Sequence, residues 1–189
     1  MNESHVFDPK HIAVLESEDR KTWQNPEEIL ELIDLNPDYV AADLGCGSGF
    51  FTVPLSRKVK KVYGIDVQKE MLDFLEQKIQ RQKIGNIEPL LSEKDKIPLE
   101  NESVDLLITV NTLHEIPNKK KIVAEIRRVL RPKRQAVIVD FKKEDTGFGP
   151  PVTIRVSQDQ ARHLFEEKGL TALTSHELQH HYLIDFRRV

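Results

Sequence analysis

Cysteine is nearly missing from this chain: Cys46 is the only one in 189 residues. That rules out an internal disulfide and fits a reducing compartment. No apolar run approaches the roughly 18 residues that a membrane-spanning helix needs. The opening "MNESHVFDPK" lacks the basic-then-apolar layout of a signal peptide, so a cytoplasmic protein with no membrane partner is expected. Excess positive charge is missing too. A net charge of −3 argues against a surface built wholly to hold nucleic acid and leaves only a local basic patch for that role. Low-complexity tracts and internal repeats are absent, so order is expected nearly throughout, apart from a loose N-terminus.

What is present is a core-forming composition, 39% hydrophobic and 31% charged, in a length that suits one domain. Residues 1–189 are read as a single domain, with 1–33 as a helical cover and 34–189 as a nucleotide-binding core. From Asp34 onward apolar runs alternate with helical patterns, the signature of a parallel sheet covered by helices. Strands are predicted at Val40–Leu44, Lys61–Ile65, Ile87–Leu91, Val104–Val110, Ala136–Phe141, Leu170–Leu178 and Tyr182–Arg187. Asn25 before Pro26, Glu27 and Glu28 marks a helix start. Ser157 with Gln160 forms a capping box, and Gly169 marks that helix's end. Further helices are predicted over Phe50–Ser56, Gln68–Lys83 with Gly85 ending it, and Lys119–Leu130. Only Gln179–His181 separate the last two strands, which predicts an antiparallel hairpin at one edge of the sheet.

Glycine is scarce, at eight residues, yet three of the eight fall within "GCGSG". Glycine at Gly45, Gly47 and Gly49 packs nothing, so the run signals a sharp turn or bare backbone against a ligand. A strand, a glycine turn and a helix start, in that order, aim backbone N–H groups at such a ligand. A dinucleotide turn wants Gly-x-Gly-x-x-Gly, but Phe50 occupies the third glycine position. Asp66 lies about 20 residues further on at the end of the second predicted strand, the usual place for a carboxylate that accepts from ribose hydroxyls.

The spacing Asp-x-Gly-x-Gly-x-Gly from Asp43 resembles motif I of class I S-adenosylmethionine (SAM) dependent methyltransferases. The likeness continues through Asp66, through "SEKDKIPLENESVDLLITVNTLHEI" (92–116) and into the terminal hairpin. It is strongest to the small type 11 group, related to the ubiquinone and menaquinone C-methyltransferases and to the core of arsenite methyltransferases. This resemblance implies a Rossmann-like α/β fold with strand order 3-2-1-4-5-7-6, the seventh strand antiparallel, and SAM as cofactor with S-adenosylhomocysteine (SAH) as product. It implies that Asp43 faces the cofactor's ammonium, that the backbone around Gly45, Cys46, Gly47 and Gly49 passes beneath it, and that Asp66 and Val67 meet the ribose side. It also implies that Glu93 and Lys94 face the adenine, with Asp95 a weaker alternative to Glu93, and that Asn111 lies near the methionine end. Arsenite chemistry uses several thiols, and this chain has one.

The remaining candidates concern the acceptor. His114 follows the fourth strand, where the transferable methyl is expected, and is the first candidate for a general base, with Glu115 beside it. Trp23, Asp140, Lys142 and Arg155 are candidates for holding a small-molecule substrate. The stretch Phe7–Trp23, with Ile12, Val14 and Leu15, is expected to cover the site. Cys46 is read as a small spacer rather than a nucleophile. His176, Glu177, His180 and His181 match no compact metal motif, and no metal is expected. The basic residues between Lys119 and Arg134 are read as a solvated helix face. Two other readings stay open: a nicotinamide-dependent oxidoreductase, and a non-catalytic SAM-binding or RNA-associated protein. Oligomeric state and the acceptor atom are not legible.

Overall fold

The computed structural model describes Ile12 and residues 17–189. The expectations placed on Phe7, Val14 and Leu15 lie outside the described residues. The described chain runs α1 (Glu18–Trp23), α2 (Pro26–Glu31), β1 (Val40–Leu44), α3 (Thr52–Ser56), β2 (Lys61–Asp66), α4 (Lys69–Gln82), β3 (Ile87–Leu91) and β4 (Val104–Val110). It continues through a short 3₁₀ turn (Leu113–Glu115), α5 (Lys119–Val129), β5 (Leu130–Phe141), α6 (Gln158–Glu166), β6 (Leu170–Glu177) and β7 (His181–Arg188).

Seven strands form one sheet in the order β3-β2-β1-β4-β5-β7-β6. β1 to β5 are mutually parallel, and β7 runs antiparallel to both β5 and β6. β1 and β4 are neighbours although the chain visits β2 and β3 between them. They therefore mark the switch point, and the crevice beyond their carboxyl ends is where open α/β sheets hold ligands.

β4 is buried at every position, as expected of a central strand covered on both faces. The alternation along β5 shows the two layers. Ala136 and Ile138 pack with Ile122, Val123, Ile126 and Phe165 on the α5/α6 face. Val137 and Val139 pack with Leu30, Leu55, Leu72 and Leu75 on the α2/α3/α4 face. Phe165 stacks on Phe186 at 4.5 Å, and cutting Phe165 to Ala would cost about 3–5 kcal/mol.

The caps read from sequence are present. Asn25 accepts from the Glu27 N–H, Ser157 and Gln160 form a reciprocal box, and Gly169 turns left-handed at φ 77°. Several boundaries differ by a residue or more. α4 ends at Gln82, within one residue of the predicted Lys83, but Lys83 rather than Gly85 makes the left-handed stop at φ 54°, because its N–H already closes on the carbonyls of Ile79 and Gln80. α3 begins at Thr52 rather than Phe50, since the glycine turn extends to Phe51. β5 begins at Leu130, directly after α5, six residues before the predicted start. Its polar opening reads as a loop, yet Arg131 and Arg134 are tied to Asp105 on β4 at 2.6 and 3.1 Å. A register shift between Val104 and Leu106 absorbs the irregularity. The closing hairpin turns through 178–180, so His181 belongs to β7.

Candidate active site

The glycine turn leaves β1 with Gly45, Gly47 and Gly49 all at positive φ, 75°, 52° and 88°, a region that side chains with a Cβ enter only at a cost. Space restricts the turn as well. A Cβ on Gly45 would fall 2.2 Å from Thr112 Oγ1, and one on Gly49 2.6 Å from Leu75 Cδ1. The N–H groups of Gly45 and Cys46 both donate to the Ile65 carbonyl, at 2.8 and 3.0 Å, which anchors the turn to β2.

Two carboxylates flank it. Asp66, at the end of β2, accepts from the Gly47 and Gln68 N–H groups, both at 2.9 Å, and burial pushes its carboxyl up despite those bonds. Asp43 is 2% exposed and accepts from the Thr52 hydroxyl at 2.6 Å. Burial pushes Asp43 up to about 7, and the nearby Asp66 adds to the shift against the opposing Thr52 bond and Arg20 charge. The Cys46 thiol is buried and likewise pushed up, so it holds its proton and makes a poor nucleophile. Val67, Glu93 and Lys94 line the same cleft. Asp95 does not; it pairs with Lys121 at 2.8 Å.

Sequence reasoning missed two residues here. Arg20 and Gln24, one helical turn apart at the end of α1, are 7% and 1% exposed. The Arg20 guanidinium lies 4.1 Å from the Phe50 ring centroid and donates through Nε and Nη2 to Gln24 Oε1 at 3.2 and 3.0 Å. Gln24 and Asn111 then exchange amide hydrogen bonds at 2.9 and 3.2 Å. Asn111 itself stands at φ 53°, the left-handed region that asparagine tolerates better than most residues. The only signal for the pair was their i,i+4 spacing, because the pocket they join is made by residues 87 positions away.

At the other end of the cleft, His114 and Asp140 meet. His114 Nδ1 is 2.7 Å from Asp140 Oδ1, and the His114 backbone N–H donates to Asp140 Oδ2 at 3.1 Å. The Phe141 N–H donates to Oδ1 at 2.8 Å. Asp140 is fully buried and does not line the cleft; it lies behind the imidazole and orients it. In the neutral ring this contact places the proton on Nδ1 and the lone pair on Nε2. Glu115 Oε1 lies 3.9 Å from Nε2, beyond hydrogen-bond reach. Lys119 donates to the Ile116 carbonyl at 2.8 Å, and burial lowers its pKa.

The walls at this end are aromatic. Trp23 packs 4.8 Å from Phe148 and stacks on His181 at 5.8 Å with 5° between the planes. His181 is fully buried with neither ring nitrogen bonded, and burial pushes it down to about 3, so it packs as a neutral ring. Arg155 is 3% exposed and does not line the cleft. It donates to the carbonyls of Pro150, Lys142, Glu144 and Phe148 and to the Thr146 hydroxyl, at 2.8–3.1 Å. It is the internal brace of the 142–155 loop. Lys142 turns to Glu177 at 3.0 Å. The basic run after Asn118 is largely knit into the protein: Lys120 pairs with Glu167, and Arg128 pairs with Glu125 while donating to the Ile97 and Leu99 carbonyls. Among the described residues no group of three or more His, Cys, Asp or Glu side chains is placed to hold a metal ion.

Both ends open into one cleft of about 570 Å³, lined by Arg20, Asp43, Asp66 and Glu93 at one end and by Trp23, His114, Phe141 and Phe148 at the other. That volume lies within the usual range for small-molecule sites, about 300–1,000 Å³. A family model described as "Methyltransferase domain", type 11, matches residues 42–138. The chain belongs to that methyltransferase family. A solved SAM-dependent methyltransferase from Aquifex aeolicus superposes on this methyltransferase with a TM-score of 0.92 at 31% identity, covering 97% of this chain and all of that one. A SAM-dependent methyltransferase from Mesorhizobium loti gives a TM-score of 0.70 at 15% identity, over 85% of this chain and 96% of that one, a likeness of fold alone. A demethylmenaquinone methyltransferase of Bacillus mycoides is 24% identical over 131 residues, 68% of this chain and 54% of that protein. The chain thus spans about half the length of the curated relatives it matches.

The residues of this methyltransferase fit SAM. A buried carboxylate with a raised pKa suits an ammonium. Arg20 suits a carboxylate, Asp66 suits ribose hydroxyls, and the glycine turn presents bare backbone to the cleft at Gly45 and Gly47. No helix among the described residues is long and apolar enough to cross a membrane.

Proposed function

We propose that this SAM-dependent methyltransferase holds the cofactor along the glycine turn and methylates a small molecule bound between His114 and the aromatic wall. The carrying observation is that the turn, both buried acids and Arg20 open into the same cleft as the His114 imidazole. Asp43 receives the ammonium, Arg20 the carboxylate, Asp66 the ribose hydroxyls and Glu93 the adenine amino group, with the Lys94 backbone alongside the ring. Asn111, locked by Gln24, fixes the floor at the end of β4. When bound, SAM supplies an electrophilic methyl that a nucleophile takes by in-line displacement, leaving SAH.

The chain's own residues align and dehydrate the reaction. Trp23, Phe141 and Phe148 exclude water from the acceptor, and Arg155 keeps the 142–155 loop in place from within. His114 accepts the acceptor's proton when it has one. The small cleft favours a small molecule over a polymer.

Calorimetric titration with SAH tests this reading, with NADH as the control ligand. Micromolar SAH binding, lost in Asp66→Ala and absent for NADH, supports it. Binding of NADH alone would replace it with a nicotinamide-dependent oxidoreductase.

A further inference from the structure

We infer that the acceptor is a planar aromatic ring carrying an acidic hydroxyl, a phenol, and that His114 Nε2 takes its proton so that methylation falls on oxygen. This inference rests on the placement of SAM given above. The first support is the dyad. Asp140, a fully buried carboxylate that also accepts from the Phe141 N–H, orders His114 through both the ring and the backbone N–H. A merely packed histidine has no need of it, as His181 in the same aromatic cluster demonstrates. The ordered ring lines the cleft, and its other nitrogen, Nε2, has Glu115 3.9 Å away.

The second support is the wall. Trp23, Phe141 and Phe148 stand within 4.8–6.3 Å of one another, with Ile116, Pro150 and Ile154 lining the cleft nearby. Such flat, apolar surfaces favour a ring over a flexible polar chain. Cations around this end are engaged elsewhere, Lys119 with the His114 and Ile116 carbonyls, Arg155 with loop carbonyls and Lys142 with Glu177, which disfavours an anionic acceptor.

The third support is acidity. A phenol, at about 10, is acidic enough for a positioned base to take its proton. An aliphatic hydroxyl, closer to water at about 15.7, is out of reach of the same base. In the step itself the phenol O–H bond breaks, the proton passes to Nε2, and the bonding pair stays on oxygen as the nucleophile. With SAM bound, that pair would form the new O–C bond as the S–C bond breaks with its pair kept by sulfur, and His114 would return its proton to solvent.

The test has an optical and a kinetic arm. With SAH bound, 4-nitrophenol is titrated into the protein and its phenolate absorbance is read about one unit below the free phenol's pKa. Wild type is expected to show bound phenolate, and His114→Gln to show neutral phenol. No phenolate in wild type, with SAH binding verified by calorimetry, overturns the inference and leaves the cofactor placement standing; loss of SAH binding itself overturns both. In turnover, 4-methylphenol is expected to lose about 10²–10⁴-fold on His114→Gln, and the more acidic 4-nitrophenol less than about tenfold. Equal losses on both phenols would reduce His114 to a structural residue. Wild-type methylation of benzyl alcohol as fast as 4-methylphenol, or a ring-carbon product, would overturn the hydroxyl assignment without any variant.

Discussion

The two ends of the cleft are built by opposite means. The end proposed for the cofactor is built around a backbone turn: glycines pinned to the Ile65 carbonyl and flanked by two acids on adjacent parallel strands, most of it contributed by residues 43–66. The acceptor end is side chain, drawn from α1, the turn after β4, the end of β5 and the 142–155 loop. The first end tolerates almost no change of backbone, whereas the second depends on packing and on two braces, Asp140 and Arg155. Substitutions in the two ends should therefore separate cofactor affinity from acceptor handling.

The largest separation should come from Gly45→Ala. Positive φ costs a few kcal/mol in a residue with a Cβ, about 1–3, and the Cβ would also strike Thr112. SAH affinity should fall at least about 100-fold while circular dichroism still reports a folded α/β protein. Retained binding would mean that the turn relaxes freely and that the contrast between the two ends is false. Arg20→Ala comes next. Losing a charge-assisted bond to the cofactor carboxylate costs about 1.5–3 kcal/mol, or roughly 10–150-fold in SAH affinity, with Arg20→Lys recovering only part.

The protonation of Asp43 gives a third, pH-dependent measure. With its pKa near 7 in the free protein, Asp43 must lose a proton to receive an ammonium at lower pH. SAH affinity should therefore fall roughly tenfold per unit as pH drops below about 7, level off above it, and lose this dependence in Asp43→Asn. Calorimetry in buffers of different ionisation enthalpy would count the proton released. At the acceptor end, Arg155→Met should lower stability by about 2–3 kcal/mol and raise the acceptor KM while leaving SAH affinity within about twofold. A matched loss of SAH binding would join the two ends into one cooperative unit. The smallest effect is expected from Cys46→Ala, under about twofold on turnover, since the buried thiol holds its proton.

The same contrast decided what could be read from sequence. Gly45, Gly47, Gly49 and Asp66 lie in one stretch, and their spacing carries the geometry with it. β3 and β4 matched residue for residue because apolar runs bounded by turns leave little choice. His114 and Asp140 were visible only as separate candidates, since strand adjacency rather than spacing places β4's end beside β5's. Asp140 and Arg155 were read as substrate ligands because a charge in a loop gives no hint of whether it faces out or braces from within. Arg20 and Gln24 had no signal beyond a helical interval. The misplaced start of β5 has a similar origin: "LRPKRQ" looks like a loop until Asp105 is brought across from β4 to neutralise its arginines.

α1 carries Arg20, Trp23 and Gln24 on little more than one turn of helix. In the proposed placement the first serves the cofactor and the second walls the acceptor, while the third ties α1 to the sheet through Asn111. A remodelling of this enzyme toward new acceptors through Trp23 would therefore carry a penalty in cofactor grip, because the two sites share a hinge pin. Variants at Phe148, which sits on a different segment, are free of that debt and are the better starting point for changing what the enzyme methylates.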